Sequence, residues 1–364
     1  MATDTTTVHV ELSDRSYDID IGAGLLPDAG RLILQRTACS HAVVITDSNV
    51  EAVYGRRLVD SLEQTGVRVD MATVPAGEST KSASHAEELW RLMLEFGTDR
   101  KSIVVAVGGG VVGDLAGFIA ATYGRGIRFV QIPTTLLAQV DSSVGGKVGI
   151  NLPGAKNMVG AFWQPTAVLI DTDVLKSLPN REYRSGLAEV VKYGVILDAE
   201  FFEYLEANID GLNSRDADVM RHIVARSCEL KAQVVSADER EETGLRAVLN
   251  YGHTFCHAIE AETGYGTYLH GEAVAIGMVC ASRLAESLGR IDADVTRRQH
   301  ELLEALGLSV AVPEAGHDDL IRAMQKDKKT EHGKLRFILP SRLGHVELVS
   351  DVPEKLVRAA LIGT

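Results

Sequence analysis

Cysteines are few in this sequence, and they are widely spaced. The 364 residues include four, at positions 39, 228, 256 and 280, and none of them forms a Cys-x-x-Cys pair. A disulfide framework or a zinc site built of thiolates usually requires closely spaced cysteines. The sequence therefore indicates neither, and it predicts a protein of a reducing compartment.

The sequence also has no long hydrophobic run. The longest stretch without Asp, Glu, Lys or Arg is 157–170, and it contains Pro165. A helix that spans a bilayer needs about 20 apolar residues. The first residues, 1–14, do not combine a basic start with an apolar core, as a secretory signal does. We therefore expect no membrane partner and a soluble, cytoplasmic protein.

Basic residues are outnumbered by acidic ones, 37 to 50, which gives a net charge of −13. Nucleic acids and anionic membranes are bound mainly through Lys and Arg, so this balance argues against both as partners. An anionic small molecule would need a local group of basic side chains. The length predicts roughly two domains, and a hydrophobic fraction of 45% is typical of a globular chain.

Apolar runs alternate with helical patterns in the first half of the chain. This alternation predicts a mostly parallel sheet with crossover helices. Beyond Pro179 long amphipathic patterns predict a mostly helical region, interrupted by a strand pair at 334–339 and 345–349. We predict an α/β domain over 1–179 and an α-helical domain over 180–364. The predicted strands of the first domain, after a hairpin within 8–21, are 41–46, 67–74, 102–107, 129–132 and 167–170.

A glycine-rich turn follows the predicted strand 102–107. Gly108-x-Gly110-x-x-Gly113 leads from this strand into a helical pattern, the context in which backbone N–H groups bind a phosphate. The alternative is a tight turn without a ligand. A dinucleotide-binding fold has an acidic residue about 20 positions later, and none is present here. Asp47 follows an earlier strand and is an alternative ligand for ribose hydroxyls, or equally a helix cap.

Further glycines and polar residues lie downstream of this turn. The segments 133–135, 145–147 and 154–157 contain two lysines, Lys147 and Lys156, which suit a phosphate or a carboxylate. Taken singly, each lysine is more often a solvated loop residue. Their density in one glycine-rich stretch favours a binding role.

Two histidines of the second half lie four residues apart. His253 and His257 share one helix face and could reach the same metal ion. Residue 254 is Thr, so the Glu of a His-Glu-x-x-His metalloprotease is missing. His270 and Glu189 are further ligand candidates, and each histidine has the alternative of an ordinary hydrogen-bonded role. Spacing alone does not choose three ligands among these four residues.

Six segments of the sequence are informative when they are taken together: Gly108–Asp114, Gln131–Lys147, Gly186–Lys192, Leu249–Thr254, His270–Glu272 and Asp327–Lys329. In this order they resemble the motifs of the 3-dehydroquinate synthase family. The resemblance covers about nine-tenths of the chain and implies a homodimer with a Rossmann-like NAD-binding domain, an α-helical metal-binding domain and an active site between them. The chain differs from the family at Cys256, where Gly is expected, and at Tyr251, where Phe is commoner.

The resemblance also implies roles for individual residues. Glu189, His253 and His270 would bind a divalent metal, zinc or alternatively cobalt, which makes His257 a substrate-side residue. Arg125 would reach the substrate of the partner subunit. The other substrate residues implied are Lys147, Asn157, Lys231, Arg246, Asn250 and Lys328. Those implied for NAD are Asp47, Glu78, Lys81, Gly109, Gly110, Asp114, Thr134, Thr135, Asp141 and Lys156.

The activity implied is conversion of the sugar phosphate 3-deoxy-D-arabino-heptulosonate 7-phosphate to 3-dehydroquinate and phosphate, the second step of the shikimate pathway and so of aromatic amino acid biosynthesis. One alternative is a sibling cyclase that acts on another sugar phosphate, such as an aminodehydroquinate synthase. A second is a metal-dependent polyol dehydrogenase with net oxidation. A third is an NAD-binding sensor without catalysis.

Overall fold

The computed structural model describes residues 5–313, 316–326 and 335–362. The contacts divide the chain into two units, Met1–Leu178 with Met220–Arg240, and Pro179–Val219 with Glu241–Thr364. The segment 220–240 thus belongs to the first unit, although it follows the predicted boundary near residue 180. The two-domain division at that boundary stays a prediction.

The first unit contains a seven-stranded sheet in the order β1-β2-β9-β6-β5-β3-β4. Only the pairing of β1 with β2 is antiparallel within this sheet, and the remaining pairs are parallel. The predicted mostly parallel sheet is confirmed. Its strands are β1 Thr6–Val10, β2 Tyr17–Gly22, β3 His41–Asp47, β4 Arg68–Val74, β5 Ile103–Gly108, β6 Arg128–Pro133 and β9 Ala167–Asp171.

Helices cover both faces of this sheet. Along β3, Val43 and Ile45 pack into one apolar cluster with α3 and α4 (Ala83–Glu95 and Gly110–Thr122). The alternate residues Ala42 and Val44 pack into a second cluster with the helices of the opposite face. Successive strand residues point to opposite faces, so a sheet covered on both sides is apolar throughout. The opposite-face helices are α1 Ala29–Arg36 and α2 Arg56–Glu63.

A separate hairpin follows the sheet strand β6. Its strands are β7 (Lys147–Leu152) and β8 (Ala155–Phe162), and Gly149 pairs with Gly160. A Cβ atom on Gly160 would lie 2.3 Å from the carbonyl oxygen of Val148, which explains the absence of side chains there. The sequence of this stretch, rich in glycine, predicts no strand pair, so the hairpin differs from the expectation.

The second unit is mostly helical, as predicted. Its strand pair, β10 and β11, is antiparallel. Among the residues that the structure describes, no helix has both the length and the apolar character needed to cross a bilayer. The elements are α5 Asn180–Leu197, α6 Ala199–Ala207, α7 Ile209–Ser214, α9 His253–Thr263, α10 His270–Ser287, α11 Ala293–Ala305, α12 His317–Lys326, β10 Arg336–Arg342, β11 His345–Ser350 and α13 Glu354–Ile362. A further helix, α8 (Ala217–Ala237), continues from this unit into the first.

Candidate functional site

The glycine-rich turn connects β5 to α4, as the sequence predicts. β5 ends at Gly108 and α4 begins at Gly110, so the free N–H groups of the helix start lie at the carboxyl end of the strand. A Cβ atom on Gly109 would lie 3.1 Å from Cγ2 of Thr135, and one on Gly110 would lie 3.0 Å from Oγ of Ser142. A side chain at either position would therefore crowd Thr135 or Ser142, which is one reason why both residues are glycine.

Four of the residues that the resemblance implies for NAD lie at the carboxyl ends of four neighbouring parallel strands. Asp47 ends β3, Lys81 follows β4, Gly109 follows β5 and Thr134 follows β6. In open α/β sheets, ligands bind at this edge. The strand order of the sheet therefore brings together residues that lie up to 87 positions apart in sequence.

Lys81 forms the centre of a polar cluster at this edge. Its Nζ donates hydrogen bonds of 2.6 Å to Oδ2 of Asp114 and of 2.6 Å to Oδ1 of Asn157. The lysine is 4% exposed. Burial raises the pKa of Asp114, and the positive charge of Lys81 opposes that rise. Lys81 thus contacts both Asp114, which like Lys81 is implied for NAD, and Asn157, which is implied for the substrate.

A second ion pair of the first unit joins α8 to the segment after β6. Nζ of Lys231 donates to the carbonyl oxygen of Asp141 at 2.6 Å and to its Oδ1 at 2.7 Å. The charge of Lys231 also acts to lower the pKa of Asp114, so the two ion pairs influence each other. α8 therefore contributes a cation to the polar edge of the sheet.

The remaining residues implied for NAD have various partners. Asp47 accepts hydrogen bonds from the N–H groups of Asn49 and Val50 at 2.8 and 3.2 Å through Oδ1, which is a capping role. Glu78 accepts a 2.8 Å hydrogen bond from Nδ2 of Asn151. Thr135 accepts one from the N–H of Ala138. Lys156 lies in β8, and Lys147, which the resemblance implies for the substrate, is the exposed first residue of β7.

The hydroxyl of Thr134 is a buried polar group that suits a ligand at this edge. Thr134 is 4% exposed, and its Oγ1 has no hydrogen-bond partner among the residues that the structure describes. A buried hydroxyl without a partner costs free energy. An unpaired hydroxyl beside a helix N-terminus and a glycine-rich turn fits a dinucleotide, so the residues present are compatible with NAD.

Glu189, His253 and His270 come together in the second unit. Glu189 lies in the middle of α5, while the two histidines begin α9 and α10. Oε1 of Glu189 lies 3.9 Å from Nε2 of His253 and 3.7 Å from Nε2 of His270. One ligand atom from each residue lies within 4.8 Å of the others, which is close enough for a single metal ion. The structure thus groups three of the four candidate ligands.

The surroundings orient these three side chains. Nδ1 of His253 lies 3.1 Å from the carbonyl oxygen of Tyr251, so its other nitrogen faces Glu189. Glu189 is fully buried, and neither of its carboxylate oxygens accepts a hydrogen bond from the residues that the structure describes. Lys192, one turn later on α5, forms an ion pair with Oε2. A buried carboxylate that faces two imidazole nitrogens is a donor set suited to a divalent zinc or cobalt ion.

Three buried residues beside this group, Lys192, Cys256 and Glu260, are not among the site residues predicted from the sequence. Lys192 is 2% exposed, and the spacing Glu189-x-x-Lys192 on a helix could have indicated it. Cys256 and Glu260 lie on the same face of α9 as His253, at intervals of three or four residues. Both are buried, and both lie within 4 Å of Nδ1 of His270.

The substrate residues implied for the second unit lie close to the start of α9. Arg246 and Asn250 belong to the helical turn Leu245–Asn250, and the guanidinium Nε of Arg246 lies 3.8 Å from Oε1 of Glu241. Arg246 is 3% exposed. The ring of His257 lies 5.5 Å from that of His253, edge to face. Lys328 lies outside the described residues.

Arg125 lies at the opposite end of α4 from the glycine-rich turn. It follows the carboxyl end of α4, whereas the glycine-rich turn precedes the helix. The 13 residues of α4 correspond to about 20 Å. Arg125 is exposed, and its backbone has a φ of 70°. Its backbone therefore lies about 20 Å from the glycine-rich turn of the same chain.

Comparison with known proteins identifies the family. A family model described as "3-dehydroquinate synthase N-terminal" matches residues 71–185, and one described as "3-dehydroquinate synthase C-terminal" matches residues 186–330. The 3-dehydroquinate synthase of Rhodopirellula baltica is 52% identical over 98% of this chain and 96% of its own length. The chain belongs to the 3-dehydroquinate synthase family.

Solved structures of related cyclases have the same fold as this family member. A 2-deoxy-scyllo-inosose synthase complexed with carbaglucose-6-phosphate, NAD+ and Co2+ has a TM-score of 0.88 at 27% identity, over 99% of this chain and 100% of its own. A 2-epi-5-epi-valiolone synthase from Streptomyces hygroscopicus subsp. jinggangensis with NAD+ and Zn2+ bound has a TM-score of 0.87 at 30% identity, over 97% of this chain and 96% of its own.

Proposed function

We propose that this chain is a lyase that converts 3-deoxy-D-arabino-heptulosonate 7-phosphate to 3-dehydroquinate and phosphate. The observation that carries the proposal is a buried carboxylate facing two imidazole nitrogens in a chain about 50% identical, over nearly its whole length, to curated 3-dehydroquinate synthases. The cyclase neighbours that bind NAD+ with Co2+ or Zn2+ support the same two cofactors here. A pathway enzyme of this kind is expected in the cytoplasm.

NAD would supply a reversible hydride acceptor, and the metal a Lewis acid for two adjacent substrate hydroxyls. Glu189, His253 and His270 would hold the metal. In the substrate, transient oxidation of one hydroxyl makes the neighbouring C–H bond acidic, so that phosphate leaves by elimination. The oxidised carbon is then reduced again, the ring opens, and an intramolecular aldol reaction closes the carbocycle. The net redox change is zero.

The residues of the first unit would bind both NAD and substrate. Lys81 and Asp114 would fix the polar edge where the dinucleotide lies, because their ion pair is already formed and largely buried. Asn157, held by Lys81, and Lys147, on the same hairpin, would bind the phosphate or hydroxyls of the substrate. Lys231 would add a positive charge next to Asp141. The other NAD residues proposed are Asp47, Glu78, Gly109, Gly110, Thr134, Thr135, Asp141 and Lys156.

The residues of the second unit would bind and orient the substrate. The buried guanidinium of Arg246 suits the substrate carboxylate, since bidentate hydrogen bonds to carboxylates are characteristic of Arg. Asn250, on the same helical turn, would bind a hydroxyl. His257, Lys147 and Lys328 would orient the leaving phosphate, which takes up the proton of the elimination.

A homodimer is also part of the proposal. Arg125 is exposed and lies about 20 Å from the glycine-rich turn of its own chain. Contribution of Arg125 to the substrate site of a partner subunit accounts for that position. Arg125→Ala should then lower activity without lowering the affinity for metal or NAD.

The test is phosphate release from the heptulosonate phosphate and from its amino analogue, assayed side by side with and without NAD and a chelator. We expect release from the heptulosonate phosphate that requires a catalytic amount of NAD and stops when the metal is removed. Release from the amino analogue alone would identify an aminodehydroquinate synthase instead. NADH that accumulates in step with product would identify a dehydrogenase and overturn the proposal.

A further inference from the structure

Ligand atoms of three residues lie together on the side of His270 that faces away from Glu189. Sγ of Cys256 lies 3.9 Å from Nδ1 of His270 and 3.9 Å from Oε2 of Glu260. Oε1 of Glu260 lies 3.6 Å from the same Nδ1. Nε2 of the imidazole belongs to the other group, 3.7 Å from Glu189. The two ring nitrogens of His270 therefore face two different sets of ligand atoms.

The distances within this second set are too long for strong hydrogen bonds but suitable for coordination. An N–H···O hydrogen bond normally measures about 2.7–3.2 Å. With zinc–sulfur bonds of about 2.3 Å and zinc–nitrogen or zinc–oxygen bonds of about 2.05 Å, the ligand atoms of a tetrahedral site are roughly 3.4–3.6 Å apart. For the two pairs that involve Nδ1 of His270, the observed 3.6 Å to Oε1 of Glu260 and 3.9 Å to Sγ of Cys256 thus require movements of only a few tenths of an ångström. One ligand atom from each of the three residues lies within 4.8 Å of the other two.

The burial of the three side chains also favours a cation. Cys256 is fully buried and Glu260 is 7% exposed, so an ion that binds these two side chains would displace little bound water. The side chain of His270 is 34% exposed, which leaves a route for an ion. A thiolate with an imidazole and one carboxylate selects zinc and softer cations, because magnesium and calcium prefer oxygen ligands alone.

We propose that Cys256, Glu260 and Nδ1 of His270 form a second metal site, which takes one thiophilic divalent cation such as Zn2+ or Cd2+ with water as the fourth ligand. Binding releases the thiol proton, and the Nδ1 proton if present, to solvent. The site shares His270 with the metal group of the proposed function, but it does not depend on the reaction catalysed. Both sites can be filled when the imidazole ring of His270 bridges the two ions.

The experiment is a titration of the full-length, metal-free protein with Co2+, monitored by near-ultraviolet absorption. A cobalt–thiolate bond gives a charge-transfer band there, whereas a site of one carboxylate and two imidazoles does not. We expect the wild-type protein to bind about two equivalents and to develop the band. Cys256→Ala should bind about half as much Co2+ and show no band. Cys280→Ala is the control. Cys280 is also buried, and it belongs to neither of the two ligand groups found among the described residues, so this variant should behave like the wild type.

A wild-type protein that binds cobalt without a thiolate band would overturn this site, and that result does not depend on the folding of any variant. A band that persists in Cys256→Ala would do the same. Glu260→Gln should lower the affinity for the second Co2+ ion at least tenfold, while binding of the first Co2+ ion stays measurable. Because the titration uses no substrate or NAD, a protein that releases phosphate but binds one equivalent would reject the second site alone. An inactive protein that shows the band would reject the proposed reaction alone.

Discussion

Lys81 and Asp114 lie 33 residues apart in sequence, and their Nζ and Oδ2 atoms form a 2.6 Å ion pair between the segment after β4 and the first turns of α4. Lys81 is buried, so loss of the lysine would leave the Asp114 carboxylate without a compensating charge. Lys81→Met should therefore lower the free energy of unfolding by about 2 kcal/mol, measured by urea denaturation. Lys81→Met with Asp114→Asn should recover part of that loss.

Lys176 provides a matched control for this pair, because it is an exposed lysine with a 2.7 Å ion pair to Asp173. Lys176→Met should change stability by less than about 0.5 kcal/mol. If the two variants lost the same free energy of unfolding, burial of Lys81 would not explain its contribution to stability.

Glu189→Gln should remove most of the metal affinity of the group formed by Glu189, His253 and His270. Loss even of a residue that only orients a metal ligand commonly costs 10–100-fold, so loss of a carboxylate ligand should cost more than about 100-fold. The measurement is zinc content after dialysis against a fixed free zinc concentration, made in a Cys256→Ala background so that only this group is read, and His270→Ala should behave similarly. Glu182→Gln, an exposed change on the same helix, is the control. Full zinc occupancy in Glu189→Gln would reject Glu189 as a ligand.

Arg246→Lys should mainly weaken substrate binding. Lysine keeps the charge but cannot donate two parallel hydrogen bonds to a carboxylate, so KM should rise roughly tenfold with a smaller change in kcat. Arg297→Lys, an exposed arginine of α11, should leave both constants as they are. An unchanged KM in Arg246→Lys would argue against a carboxylate-binding role.

Tyr251→Phe should affect stability rather than catalysis. The Tyr251 hydroxyl lies 2.8 Å from Oε1 of Gln299 and 3.0 Å from the carbonyl oxygen of Met278, and the ring is fully buried. The hydroxyl has one proton to donate to these two acceptors, so its removal leaves a buried acceptor without its donor, at a cost of about 1–3 kcal/mol in thermal or urea unfolding. The KM for substrate should stay the same. A changed KM with unchanged stability would show that Tyr251 acts on specificity instead.

Asp99 should give the protein an acid-dependent part of its stability. Its carboxylate accepts hydrogen bonds from the Ser102 hydroxyl at 2.9 Å and from the N–H groups of Lys101 and Ser102, and these hold its pKa below the ordinary 3.8. A lowered pKa adds stability above pH 3.8 that is lost as the pH falls through the folded-state value. The difference in melting temperature between wild type and Asp99→Asn should therefore shrink below pH 3.8. A difference that grows on acidification would contradict this sign.

The parallel sheet could be predicted because its strands are apolar on both faces. β3 and β5 are buried almost throughout, so continuous apolar runs between helical patterns marked them. The hairpin of β7 and β8 gave no such signal. Its second strand is largely exposed, and glycines are paired at its centre, so neither alternation nor a continuous apolar run is present.

The metal group illustrates what spacing cannot supply. The helical interval between His253 and His257 indicated a shared face of α9, which the structure has. The choice of ligands depends instead on where α5 and α10 place Glu189 and His270, and that is decided by packing between helices distant in sequence. The proximity of Cys256 and Glu260 to His270 depends on the same packing, so sequence alone did not link them.

The return of residues 220–240 to the first unit makes that unit discontinuous along the chain. A fragment that ends at residue 179 would lack Lys231, the partner of Asp141, and Cys228, whose thiol lies 3.3 Å from the carbonyl oxygen of Gln139. No single cut would separate the two units into intact pieces. During synthesis on the ribosome, the first unit cannot complete its packing until residue 240 has emerged, by which time part of the second unit is already made.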